Sequence, residues 1–192
     1  MRRIILVSKS KARRKLLRQL GIKFQAVSSR IHESKYLRGE KCSGLVMKNA
    51  LKKARSVSGR FKSAVIIAAD TVVLVGKKII GKPKDIKDAF KTLKLLSKKP
   101  QWVYTGIAVI DTKSGKSYTD YEKTKIYMYP LTDKEITSYF RRTSPLDKAG
   151  SFDIQGMGSI FIERIEGCFY NVVGLPLAKL AGTLKKTGVS IF

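Results

Sequence analysis

Histidine occurs once in this 192-residue chain, cysteine twice, and aspartate and glutamate together only 14 times. Each scarcity removes a class of chemistry. With His32 alone, a site built on several histidines is excluded, and a Ser-His-Asp triad would have to use that one ring. Cys42 and Cys168 lie far apart, and neither belongs to a Cys-x-x-Cys pair. Their spacing supports neither a zinc site nor a disulfide, so reduced thiols are expected. Any metal must then be held by oxygen, which points to Mg²⁺ or Mn²⁺. Long apolar runs are missing too, since the longest near the middle is Ala64 to Ala69 and a membrane span needs about 20 residues. Arg2 and Arg3 precede only Ile4 to Val7, too short a stretch for a secretory signal. The expectation is a cytoplasmic protein without a membrane partner.

What the chain has in excess is positive charge: 40 Lys and Arg give a net +26, within a composition that is still 43% hydrophobic. That hydrophobic share is globular rather than disordered. A chain of this length buries roughly 70% of its unfolded surface, which fits one domain or two closely packed lobes. With no stretch polar enough to read as a linker, a single domain over residues 1–192 is expected.

Strand and helix patterns alternate. Ile4 to Val7 reads as a buried strand, and Ser10 caps a helix bearing Ala12, Leu16, Leu17 and Leu20, closed by Gly21. Phe24 to Val27 is a short strand, and Ser43 begins a helix with Leu45, Val46, Ala50, Leu51, Ala54 and Val57 on its apolar face. Ala64 to Val75 reads as a strand pair or bent strand interrupted at Asp70-Thr71, followed by a turn at Gly76 and by Ile79-Ile80. Asp85 caps a helix carrying Ala89, Phe90, Leu93 and Leu96. Trp102 to Asp111 and Ser117 to Tyr129 flank a hairpin turn. Thr132 to Glu135 is a capping box, Ser159 to Ile165 a strand, and Leu177 to Lys186 a closing amphipathic helix.

So few carboxylates can be sorted individually. Asp85 and Asp133 sit at helix caps, and Asp111, Asp120 and Glu122 border a hairpin, where solvated or capping roles suffice. Asp70 differs because it ends a wholly apolar strand pattern. Ligands of open α/β sheets bind at the carboxyl ends of strands, and a half-buried carboxylate is costly unless paired or bound to a cation. Satisfaction by backbone amides is the other reading.

The first strand-to-helix junction runs Ser8-Lys9-Ser10-Lys11-Ala12-Arg13. Two hydroxyls, free N–H groups at a helix start and an arginine one turn in form a polyphosphate cradle without the glycines of a P-loop. In so basic a chain, composition alone also puts cations there. Lys82, between Gly81 and Pro83, has a fixed direction suited to phosphate. The stretch Gly150 to Gly158 brings backbone close to a ligand or serves as an ordinary loop, and its Gln155 offers a donor and an acceptor to a base edge.

These elements together resemble the Maf family of nucleoside triphosphate pyrophosphatases. The family's Leu-Ala-Ser-x-Ser-Pro-Arg-Arg motif aligns with Leu6 to Arg13, its Ala-Asp-Thr with Ala69-Asp70-Thr71, its Lys-Pro with Lys82-Pro83 and its Tyr-Thr-Gly with Tyr104-Thr105-Gly106. The most specific matches are Asp147-Lys148-Ala149-Gly150, Ile154-Gln155-Gly156 and Asn171 to Leu177. Lys11 and Ala12 depart from the family's Pro and Arg, and His32-Glu33 from its common Asp-Glu.

The resemblance implies an α/β fold, an elongated mixed sheet flanked by helices, with two lobes and a central cleft. It implies cleavage of a nucleoside triphosphate to the monophosphate and pyrophosphate with a divalent cation, Mg²⁺ or Mn²⁺. Asp70 becomes the general base or metal-bound carboxylate, and Glu33 a second metal-organising carboxylate. Ser8, Ser10, Arg13, Lys53 and Lys82 become polyphosphate contacts. Arg13, Thr71 and Gln155 match positions tied to base selectivity in the dTTP/UTP-cleaving branch, whereas the 7-methyl-GTP branch typically has Gln after the catalytic Asp. Expected partners are a nucleoside triphosphate, with a homodimer and non-specific nucleic-acid contact left open. A nucleic-acid-binding protein is the competing reading, because Tyr121, Tyr127 and Tyr129 alternate with Lys123 and Lys125 in a chain of high positive charge; a half-buried strand face explains the same alternation.

Overall fold

Ile4 to Val7 and Ala64 to Ala69 are apolar at every position, which suits strands covered on both faces. In the computed structural model, which describes residues 2–31, 34, 40–146 and 148–191, both are such strands. The first half contains β1 (Arg3–Val7), α1 (Lys11–Gln19), β2 (Gln25–Val27), α2 (Cys42–Ser58), β3 (Ala64–Val75), β4 (Lys78–Ile80) and α3 (Ile86–Leu96). The second contains β5 (Gln101–Asp111), β6 (Ser117–Met128), α4 (Asp133–Arg142), a 3-10 helix at Met157–Phe161, β7 (Ile162–Glu166), α5 (Phe169–Val173) and α6 (Leu177–Lys185). The fold is α/β. Among the described residues, a mixed seven-stranded sheet runs in the order β2-β1-β3-β5-β6-β7, with β4 paired to β3. The chain divides into two compact units: Met1–Thr71, Tyr104–Glu122 and Tyr170–Phe192 make the first, and Val72–Val103 and Lys123–Phe169 the second.

In the first unit β1 lies parallel to both β2 and β3, with Ile5 opposite Ile66 and Val7 opposite Ala68. Side chains alternate across a strand, so each strand feeds two cores. Ile4, Leu6, Val65, Ile67 and Ala69 pack with Leu16 and Leu17 of α1 and Leu180 and Leu184 of α6. Ile5, Val7, Ile66 and Ala68 pack with Ala50, Ala54 and Val57 of α2. α2 comes close to β5 at Gly106, where a Cβ would stand 2.4 Å from the Val46 carbonyl carbon. Gly106→Ala should therefore overpack this contact by about 1–3 kcal/mol and lower Tm by roughly 2–12 °C. A thermal melt of the variant that matches the wild type would contradict the packing described.

The second unit carries the capping interactions foreseen at α3 and α4. Asp85 accepts from the Asp88 N–H, and Thr132 and Glu135 form a reciprocal box. Tyr139 meets Phe161 edge-on, ring centroids 5.0 Å apart. On β6, Thr124, Ile126 and Met128 are buried while Lys123 is exposed, as is Tyr129 just past the strand's end, so the alternation of tyrosine and lysine marks a strand with one covered face. Lys125 and Arg164 lie over the Tyr127 ring at 4.8 and 3.5 Å.

Three elements differ from the sequence reading. β3 is one uninterrupted strand of 12 residues, because the partners of Asp70 satisfy its charge and Thr71-Val72-Val73 are strong strand formers. The expected strand from Ser159 starts as a 3-10 helix after Gly156, and strand geometry begins only at Ile162. The five-residue α5 was not foreseen.

Candidate active site

The alternation along β3 sends Asp70 and Thr71 to opposite faces. Asp70 shares the face of Ile66 and Ala68, toward α2, and Thr71 that of Ile67 and Ala69, toward α1. Each meets what its helix supplies. From α2, Lys53 Nζ donates to Asp70 Oδ1 at 2.6 Å and to the Ala69 carbonyl at 3.3 Å. Asn49, one helical turn earlier, donates to Asp70 Oδ2 at 3.0 Å. The other side of the Asn49 amide is held by Ser34, whose N–H donates to Oδ1 at 2.9 Å and whose carbonyl accepts from Nδ2 at 3.2 Å. Asp70, Lys53 and Asn49 are all buried. Asp70 is thus satisfied by two side chains rather than by backbone amides, and a buried ion pair fixes its carboxylate.

From α1, Arg13 reaches three acceptors: Nε donates to the Gly174 carbonyl at 2.7 Å, Nη1 to the Ala69 carbonyl at 3.0 Å and Nη2 to Thr71 Oγ1 at 2.8 Å. Lys53 and Arg13 therefore converge on the Ala69 carbonyl from the two faces of the sheet. Gly174 has a φ of +107°, and a Cβ there would stand 3.3 Å from Thr71 Oγ1 and 3.4 Å from Arg13 Nε. The position thus combines a left-handed backbone with a close approach, two conditions that favour glycine.

The junction between β1 and α1 lies beside these groups, since Val7 pairs with Ala68. Ser8 Oγ accepts from the Ser10 N–H at 3.1 Å, and Ser10 Oγ, the N-cap, accepts from the Arg13 N–H at 3.3 Å. Each hydroxyl spends a lone pair on the junction and retains a proton to donate to an anion. The structure thus brings together Ser8, Ser10, Arg13, Lys53, Asp70 and Thr71 in the first unit. Lys82 and Gln155 belong to the second: Lys82 is exposed ahead of α3, next to buried Pro83, and Gln155 is exposed, its N–H donating to Asp153 Oδ1 at 3.0 Å. His32 and Glu33 lie outside the described residues, as does Asp147.

Asn49 was missed. Yet the buried positions of α2 are Cys42, Leu45, Val46, Asn49, Ala50, Lys53, Ala54 and Val57, a helical stripe in which two polar residues stand one turn apart. Polar residues inside an otherwise apolar stripe were the available signal. Cys42, at the start of this helix, is free, and burial pushes its thiol up, away from the reactive thiolate.

Among the described residues no three His, Cys, Asp or Glu side chains gather as a metal cage. The donor set nonetheless fits a hard cation. Mg²⁺ is commonly held by one or two carboxylates with substrate phosphates completing its shell, and a carboxylate has about four lone-pair sites, of which Lys53 and Asn49 engage one on each oxygen of Asp70.

A family model described as "Maf-like protein" matches residues 3–187. The chain is 45% identical over 198 residues to a dTTP/UTP pyrophosphatase of Methanosarcina barkeri, covering 100% of this chain and 98% of that one. It is 42% identical over 188 residues to a dTTP/UTP pyrophosphatase of Dictyoglomus turgidum, covering 98% and 97%. Among solved structures, a HAM1 protein from Coxiella burnetii aligns over 97% of this chain and 100% of its own at a TM-score of 0.55 and 13% identity, a likeness of fold.

Proposed function

The chain belongs to the Maf-like protein family, and from that premise we propose that it hydrolyses dTTP and UTP to the nucleoside monophosphate and pyrophosphate. The observation that carries this is the buried Asp70 carboxylate, held on both oxygens by Lys53 and Asn49 beside a junction whose hydroxyls keep protons for an anion. Its relatives of 41–45% identity named dTTP/UTP pyrophosphatase support the substrate class.

In this reading Asp70 orients the attacking water and takes its proton, and the Lys53 ammonium and Asn49 amide keep the carboxylate from rotating away. Ser8 and Ser10 donate to the polyphosphate, with Lys53, Lys82 and Arg13 supplying positive charge as the departing pyrophosphate gains negative charge. Asp70, with Glu33, would hold a divalent cation, which when bound neutralises polyphosphate charge. The large positive charge of the chain raises capture of an anionic substrate without taking part in the chemistry.

Pyrophosphate release from dTTP or UTP should require Mg²⁺ or Mn²⁺, because a polyphosphate and carboxylates share a site only with a cation between them. Excess EDTA should abolish turnover, and added Mg²⁺ or Mn²⁺ should restore it. Full rate in EDTA would overturn the assignment of Asp70 as a metal-organising carboxylate.

A further inference from the structure

Thr105 of β5 is fully buried, and the chemistry above makes no use of it. Its Oγ1 lies 2.8 Å from Thr71 Oγ1 and 3.0 Å from the Asn171 carbonyl oxygen. We propose that Thr105 is a positioning residue for substrate selectivity, acting through Thr71 by fixing which way the Thr71 hydroxyl points. Counting protons gives the direction. A carbonyl cannot donate, so the single Thr105 proton goes to Asn171. Thr105 then has only lone pairs to offer Thr71, and the Thr71 proton is directed inward to Thr105. Arg13 Nη2 donates to Thr71 at 2.8 Å and fills one of its lone pairs. The chain of donors runs from Arg13 through Thr71 and Thr105 to the Asn171 carbonyl, which accepts the Gly174 N–H at 2.9 Å as well.

What remains on Thr71 is one lone pair and no proton. Toward a ligand it is an acceptor only, opposite in character to Ser8 and Ser10, which keep their protons. A phosphate oxygen, itself an acceptor, finds no partner at Thr71 and finds two at the β1–α1 junction. The geometry therefore assigns the phosphates to Ser8 and Ser10, and a donor-bearing edge of the nucleotide to Thr71. The imide N–H of uracil or thymine is such a donor, whereas the corresponding ring nitrogen of cytosine carries no proton and meets Thr71 as acceptor against acceptor. This rests on the reading of the site as one for pyrimidine nucleoside triphosphates.

Thr105→Val, nearly isosteric, removes the acceptor of the Thr71 proton, and the freed hydroxyl can then donate to a ligand. The ratio of kcat/KM for UTP over CTP should fall by about tenfold, the scale of one net hydrogen bond, mainly through KM for UTP. Thr105→Ser should restore it. In a Thr71→Val background the same change at Thr105 should alter the ratio no further, the sign of action through Thr71. If Thr105→Val does not fold, Thr105→Cys carries the test, its thiol being too weak a partner to hold the Thr71 proton. An unchanged ratio in a folded variant overturns the proposal, as does an equal loss toward every nucleotide that Thr105→Ser leaves unrepaired. Absence of UTP and dTTP hydrolysis in the wild type would instead defeat the function on which the proposal rests.

Discussion

Asp70→Asn should lower kcat by at least about a hundredfold, the scale for removing a general base. The substitution keeps shape but does not keep the hydrogen bonds. Asp70 receives one donor on each oxygen, Lys53 on Oδ1 and Asn49 on Oδ2. An asparagine amide has a single oxygen, so one of those donors must face an NH₂. If Lys53 loses this acceptor, the buried ion pair with position 70 is broken from one side, a change that costs about 3–5 kcal/mol in stability. Asp70→Asn is thus expected to lose stability as well as activity, and the two losses separate in the double variant Asp70→Asn/Lys53→Met. With the buried charge removed, its Tm should recover toward the wild type while kcat stays low. Near wild-type turnover in a folded Asp70→Asn protein would remove Asp70 from the mechanism, and a double variant as active as the wild type would remove Lys53 with it.

The second large effect concerns the base. Uracil and thymine present an N–H donor between two carbonyl acceptors; cytosine reverses part of that pattern. A polar group left unpaired once the wrong base covers it from water discriminates by up to about 10⁴-fold, whereas shape alone gives about 10 to 200-fold. dTTP and UTP should therefore be cleaved much faster than ATP or GTP, with CTP intermediate or poor. Gln155, exposed in the second unit, has an amide N–H to offer one of the two carbonyls of such an edge. Gln155→Ala should narrow the gap by lowering kcat/KM for dTTP and UTP more than for purines, measured in parallel on one nucleotide panel. A preference for GTP or a methylated purine would defeat the pyrimidine assignment and leave the pyrophosphatase chemistry standing.

How much of this was legible beforehand depended on whether the signal was local. The N-cap at Ser10, the cap at Asp85 and the box at Thr132–Glu135 follow from a few neighbouring residues, and all form as read. Asp70 was legible because a carboxylate at the end of an apolar strand pattern is expensive without a partner. What it partners was not, because Asn49 and Lys53 lie in another element. The helical stripe that buries them becomes decisive only once α2 is known to cover the Asp70 face of β3. The supposed break at Asp70-Thr71 was the converse error. A charge was read as the end of a strand, although tertiary partners satisfy it and the strand runs on to Val75. Thr105 illustrates the same limit, since nothing in its neighbours shows that its proton is spent on Asn171, 66 positions away.

The central claim is the position of the cleaved bond, and product analysis of the wild-type enzyme tests it most directly. With dTTP and Mg²⁺, separation of products by charge should show dTMP and pyrophosphate appearing in equal amounts from the first time point, without dTDP. Accumulation of dTDP with inorganic phosphate would place the cleavage at the terminal anhydride and contradict the account.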